Sequence, residues 1–113
     1  MDLETLRQYC LAFKGVTEDI KWENHLCFSV MNKIFFIGSL DEIPMKASIK
    51  VTDEEFDELI ARDGIIPAPY MARNKWVKVE QDAFSDSEWK SYVKKSYDII
   101  KAKLPKKVQK ELI

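Results

Sequence analysis

Two cysteines, three glycines and a single histidine are all that 113 residues contain, and each scarcity removes a class of chemistry. Cys10 and Cys27 form no C-x-x-C pair, so neither a disulfide scaffold nor a thiol-rich zinc site fits. Both are expected as reduced, buried thiols. His25 is the one imidazole, and a soft-metal site needs several such ligands at short spacing. A structural or surface histidine is the expected role. None of the glycines stands in a G-x-G pattern, so no phosphate-cradling loop is present. No Gly-x-Ser-x-Gly elbow occurs, and no Ser or Cys has a visible base and orienting group. The expectation is a protein without metal or cofactor, and not an enzyme.

Long apolar runs are missing too. Stretches such as Ile34–Ile37 fall far short of the roughly 20 residues a membrane helix needs. The opening Met-Asp-Leu-Glu-Thr is acidic where a secretory leader is basic and then apolar. A cytoplasmic location without membrane contact is expected.

What is present is globular: 46% hydrophobic and 33% charged residues, the balance of a soluble domain. The length fits a single domain over residues 1–113. The net charge of −1 hides a split. Residues 1–69 hold 7 Lys/Arg against 13 Asp/Glu, giving −6, and residues 70–113 hold 11 against 6, giving +5. Such a chain can present an acidic and a basic face, or folding can intermix the halves.

Periodicity gives the element order. Asp2 is placed to cap a helix over Asp2–Ala12, with Leu3, Leu6, Tyr9, Cys10 and Phe13 on one face. Gly15 ends it, and Thr17-Glu18-Asp19 reads as a surface turn. His25–Val30 alternates as a strand, Asn32-Lys33 turns the chain, and Ile34–Ser39 is a denser, central strand. After a turn at Asp41–Pro44, Met45–Val51 alternates again. Thr52 with Glu55 forms a capping box for a helix over Asp53–Arg62. Pro67 and Pro69 confine Ile65–Tyr70 to an edge strand or extended loop. Lys75–Glu80 is a further strand. Ser85 with Glu88 opens the longest helix, Asp86–Leu104, and Lys106–Ile113 can add a last turn or two with Pro105 at its first position.

The order helix, three strands, helix, two strands, helix predicts a two-layer α+β domain. Its antiparallel sheet has about five strands with the helices on one face. Phe28, Phe35, Ile37, Ile49, Phe56, Leu59, Val77, Trp89, Val93 and Ile100 are the predicted core.

Several stretches resemble the MmcQ/YjbR family. They are Gly15–Asp19, Lys33–Phe36, Ser39–Glu42, Pro67–Val77, Ser96-Tyr97-Asp98 and Lys103–Lys107, in the family's order and covering nearly the whole chain. The resemblance implies a two-layer fold similar to type III secretion chaperones, and a DNA-binding label without catalytic residues. A common family form carries a histidine near the Tyr-Met…Trp segment. Tyr70–Trp76 has none, so no imidazole role transfers.

Two binding surfaces follow. Lys33, Arg73, Lys75 and Lys78, beside aromatic residues, suit phosphate contacts and stacking, hence weak and salt-sensitive DNA binding. Scarce arginine and a pI near 5.9 argue against sequence-specific duplex reading. The first reading is nevertheless a non-catalytic interaction module in which Tyr70, Met71 and Trp76 meet a protein partner, with the DNA surface as its alternative. The expected state is a monomer or weak dimer.

Overall fold

The computed structural model, which describes residues 1–112, shows how local signals set each element. The Asp2 carboxylate accepts the Thr5 N–H at 2.8 Å and opens α1 (Leu3–Leu11). Gly15 follows with φ +77°, a region that disfavours side chains, and turns the chain into β1 (Val16–Lys21). Then come β2 (His25–Val30), β3 (Lys33–Ser39) and β4 (Lys46–Lys50). Both predicted capping boxes close, Thr52–Glu55 before α2 (Asp53–Leu59) and Ser85–Glu88 before α3 (Asp86–Ala102). Between those helices lie β5 (Ile65–Pro67) and β6 (Trp76–Glu80), and α4 (Lys106–Lys110) follows α3.

The strands form one antiparallel sheet in the order β1-β2-β3-β4-β6-β5. It has six strands rather than about five, because Thr17–Asp19 is not a turn. These residues are the middle of β1, paired to β2 from Val16↔Val30 to Lys21↔His25. An edge strand can stay polar because half of its backbone and much of its surface face water. Glu18 also carries an ion pair with Arg7 of α1, at 2.8 Å. The turn lies later, at Trp22 and Glu23, both with positive φ. The β2–β3 turn sits on Met31 and Asn32, one residue earlier than expected. Pro105 caps α4 instead of starting it, and Ile113 lies outside the described residues. The remaining boundaries agree to within two or three residues, and Pro67 sits on the edge strand β5 as its missing N–H requires.

Register assigns the faces, since residues directly opposite one another share a side of the sheet. Phe28, Phe36, Ile49 and Val77 form one cross-strand row, with Leu26, Gly38, Ala47, Val79 and Ile65 in the next. This side meets the helices. All ten predicted core residues are buried. Gly38 allows Leu3 of α1 to lie on β3, because a Cβ there would stand 2.8 Å from the Leu3 side chain. Tyr9 donates to the Lys90 carbonyl at 3.1 Å, and Lys95 pairs with Glu55 at 3.0 Å. These contacts join α1, α3 and α2 in one layer.

The sheet is irregular at one point. Pairing passes from Phe28↔Phe36 to Ser29↔Ile34, so Phe35 is an extra residue in β3. Its carbonyl accepts the Ser96 hydroxyl of α3 at 2.7 Å, and the Ser96 oxygen accepts the Lys50 N–H of β4 at 3.0 Å. A fully buried serine thus serves two backbone groups that the bulge removes from the ladder.

A groove on the uncovered sheet face

The opposite face carries the other half of each alternation. Cys27, Ile37, Ser48, Lys78 and Ile66 form one row across five strands, and His25 and Ser39 pair beside it. A groove of about 530 Å³ lies on this side. Strand residues Ile37, Ser39, Ser48 and Lys78 form its floor, and Trp22, Pro69, Tyr70 and Met71 come from loops. None of its lining residues belongs to a helix. Ile37 and Ser39 are buried, whereas Trp22 is 62% exposed and Tyr70 fully exposed at 105%.

Backbone conformation sets these rims. Trp22 takes φ +51° in the β1–β2 turn, and Tyr70 takes φ +65° in the β5–β6 connection. Such angles are uncommon for bulky side chains. The following Ala72–Asn74 turn ends at Lys75 in the left-handed region.

Polar groups are concentrated at one end. Ser39 donates to Asp41 at 2.8 Å and Asn24 donates to the same carboxylate at 2.5 Å, which holds Asp41 below its ordinary pKa. Glu42 accepts Lys46 and Lys78, one on each oxygen, both at 3.2 Å. Partial burial raises its pKa, but bonds from Ser39, Lys78 and Lys46 outweigh that and leave it lowered. His25 stands edge-on to Trp22, with ring centroids 5.9 Å apart. Its Nδ1 is the one buried side-chain polar atom without a hydrogen-bonding partner among the described residues.

Burial pushes the Cys27 thiol upward, away from the thiolate a nucleophile needs. Cys27 and Cys10 are both buried and unpaired, and the sheet lies between them. No three His, Cys, Asp or Glu side chains stand together as metal ligands among the described residues.

The residues predicted to bind do not form one surface. Lys78, Tyr70 and Met71 line the groove. Arg73 is exposed on the turn beyond it. Lys75 is half-buried, its ammonium 4.8 Å over the Phe56 ring of α2. Lys33 lines a separate hollow with Ile34, Ile100 and Lys103, at the opposite end of β3 from Ser39 and roughly 20 Å away along a strand of that length. Trp76 is 7% exposed and belongs to the packed interior. Sequence reasoning did not single out Trp22, Ser39, Lys46 and Ser48 as site residues, and it placed Ile37 in the core without locating the groove above it. The alternation of β4 placed Lys46 and Ser48 on one face, but which face stays uncovered is a property of helix packing.

A YjbR family model matches residues 11–99. Among solved structures, a Deinococcus radiodurans protein with the family-model domain DUF419 superposes with a TM-score of 0.88 at 22% identity. That match covers 97% of this chain and 86% of the other. A Pseudomonas syringae protein superposes with a TM-score of 0.72 at 19% identity, covering 88% of this chain and 99% of its own. At such identities the likeness is one of fold. No curated protein matches the sequence.

Proposed function

The chain belongs to the YjbR family, and on that premise we propose that it is a non-catalytic binding module whose working surface is the uncovered sheet face. One observation carries this reading: two large, exposed aromatic residues, Trp22 and Tyr70, border a strand floor that holds the buried Ile37 beside Ser39, Ser48 and Lys78 and that no helix covers. Exposed apolar surface bordered by polar groups marks binding sites. The volume lies within the range of small-ligand sites, which combine an apolar lining with a few polar groups. The unpartnered His25 Nδ1 adds support, because buried polar atoms are normally satisfied unless a functional role keeps them otherwise.

Catalysis finds less support. The one imidazole has no partnered nucleophile, and the nearby thiol is held protonated. The nucleic-acid reading through Lys33, Arg73, Lys75 and Lys78 has the net positive charge of residues 70–113 behind it. Against it, Lys33 lines a different hollow and the Lys75 ammonium lies over the Phe56 ring of α2, so the four do not form one surface.

An amide chemical-shift titration of the whole chain with a diverse set of small fragments tests the proposal. Shifts gathered on Ile37, Ser48, Met71 and the Trp22 indole are expected. Absence of any response there overturns it. A parallel titration with short single- and double-stranded DNA across a salt series separates the alternative: shifts on Arg73 and Lys75 that collapse with salt favour phosphate contacts.

A further inference from the structure

We propose that the groove selects a small aromatic carboxylate, its ring held among Trp22, Tyr70 and Met71 and its anionic group on Lys46 and Lys78. This rests on the binding reading above and adds the ligand's chemistry.

The charge arrangement points to an anion. Two ammonium groups share the single carboxylate of Glu42, one on each oxygen. Taken alone the triad retains one formal positive charge; both lysines line the groove and no carboxylate does, with Asp41 on the lining Ser39 and Glu80 opposite Lys46 as the further acidic groups at this end. They sit on one side of neighbouring strands, because Lys46 pairs with Glu80 and Ser48 with Lys78. Diagonal neighbours of this kind lie roughly 7–8 Å apart at the backbone, within reach of one carboxylate from both long side chains.

Two lysines already shared with Glu42 argue for a carboxylate rather than a phosphate monoester. A dianion calls for more donors, and neither arginine nor a glycine-rich backbone nest lines the groove. The rest of the lining calls for an apolar, flat body. Ile37 supplies the floor, Pro69 and Met71 a wall, and the rings of Trp22 and Tyr70 the rims. Aromatic rings gain from edge and offset contacts with other rings, and from thioether sulfur. The Ser48 hydroxyl lies between Ile37 and Lys78 in the cross-strand row. That places a polar step where the apolar body of a ligand gives way to its anionic end. Glu42 acts as a resident competitor: a ligand carboxylate gains the lysines only by sharing them with it.

Matched probes test the chemistry: phenylbutyrate, its neutral analogue phenylbutanol, and phenylbutylamine, each titrated into the full chain by amide chemical shifts. Phenylbutyrate is expected to shift Ile37, Ser48, Lys78 and the Trp22 indole. Phenylbutanol is expected to bind about fivefold more weakly, the upper worth of one exposed ion pair, and the amine more weakly still. Replacing both lysines (K46M/K78M) should bring the acid to the alcohol's level. Glu42→Gln should strengthen the acid about threefold and leave the alcohol unmoved. Equal binding of acid and alcohol, or an acid affinity unchanged in E42Q, overturns the carboxylate assignment while groove binding stands. If none of the three probes binds, the assignment falls. The fragment titration then decides whether the binding reading falls with it.

Discussion

The two faces of the sheet are built from the same strands and treated differently. The covered face carries Phe28, Phe36, Ile49, Val77 and Val79, all fully buried under α1, α2 and α3. Polar groups that enter that layer are spent on structure: Ser96 bridges β3 and β4, and the Trp89 indole donates to the Gln81 carbonyl at 2.9 Å. The other face mixes Ile37 with Ser39, Ser48, Lys46 and Lys78, leaves His25 Nδ1 unsatisfied and raises two aromatic side chains into solvent. A chain selected only for stability gains nothing by exposing a tryptophan, so the contrast separates residues that hold the fold from residues available to a ligand.

Substitutions on the two faces should separate just as clearly. Trp89→Ala removes a fully buried side chain from the centre of the helical layer, and a loss of about 3–5 kcal/mol in denaturant unfolding is expected. A loss below about 1 kcal/mol would mean that the layer repacks around the gap.

Ser96→Ala should cost about 1–3 kcal/mol, because it strands a buried carbonyl and a buried N–H at the bulge. Ser48→Ala on the open face is its control and should lie within about 0.5 kcal/mol of the parent. Similar losses for the two serines would show that the faces are not distinct.

A third expectation concerns acid. The hydrogen bond from Arg62, with further bonds at the helix start, holds Glu88 at about 2, against 4.5 ordinarily. A depressed carboxylate contributes stability that is complete above its ordinary value and lost as pH falls from there toward about 2. The Arg62 and Glu88 side chains are 40% and 35% exposed, so the contribution is discounted to about 0.5–1 kcal/mol. Glu88→Gln should therefore lower stability near neutrality and flatten the acid limb of the melting-temperature profile. An unchanged profile would place the pair among ion pairs that contribute nothing.

Smallest is the effect of Tyr70→Ala, expected within about 0.5 kcal/mol of the parent in stability while weakening any groove ligand. A large loss of stability would reassign Tyr70 to the fold.

Much of this could be read from the chain. Asp2, Thr52 and Ser85 announced three helices because capping is local, satisfied within three residues of each cap. The core list held because alternation and helical stripes report burial directly. β1 was hidden because an edge strand needs little hydrophobicity, and Trp22, four residues from the nearest apolar stripe of β2, gave no periodic signal. The family stretch Ser96-Tyr97-Asp98 was visible, but its use was not. Ser96 meets Phe35 and Lys50 across 61 and 46 positions, and the Tyr97 hydroxyl donates to the Lys14 carbonyl at 2.6 Å across 83.

The sequence by itself determined the helices, five of the six strands, their order and the antiparallel meander, because capping, turns and side-chain period are short-range physics. It also determined which residues share a side of each strand. Tertiary structure alone decided that three helices stack on the same side, and hence which half of every alternation is sealed and which is left to form a groove. That choice depends on contacts between residues far apart in the chain. Lys78 reaches the local pair Glu42–Lys46 only because β4 and β6 are neighbours in the sheet, with α2 and β5 intervening in sequence.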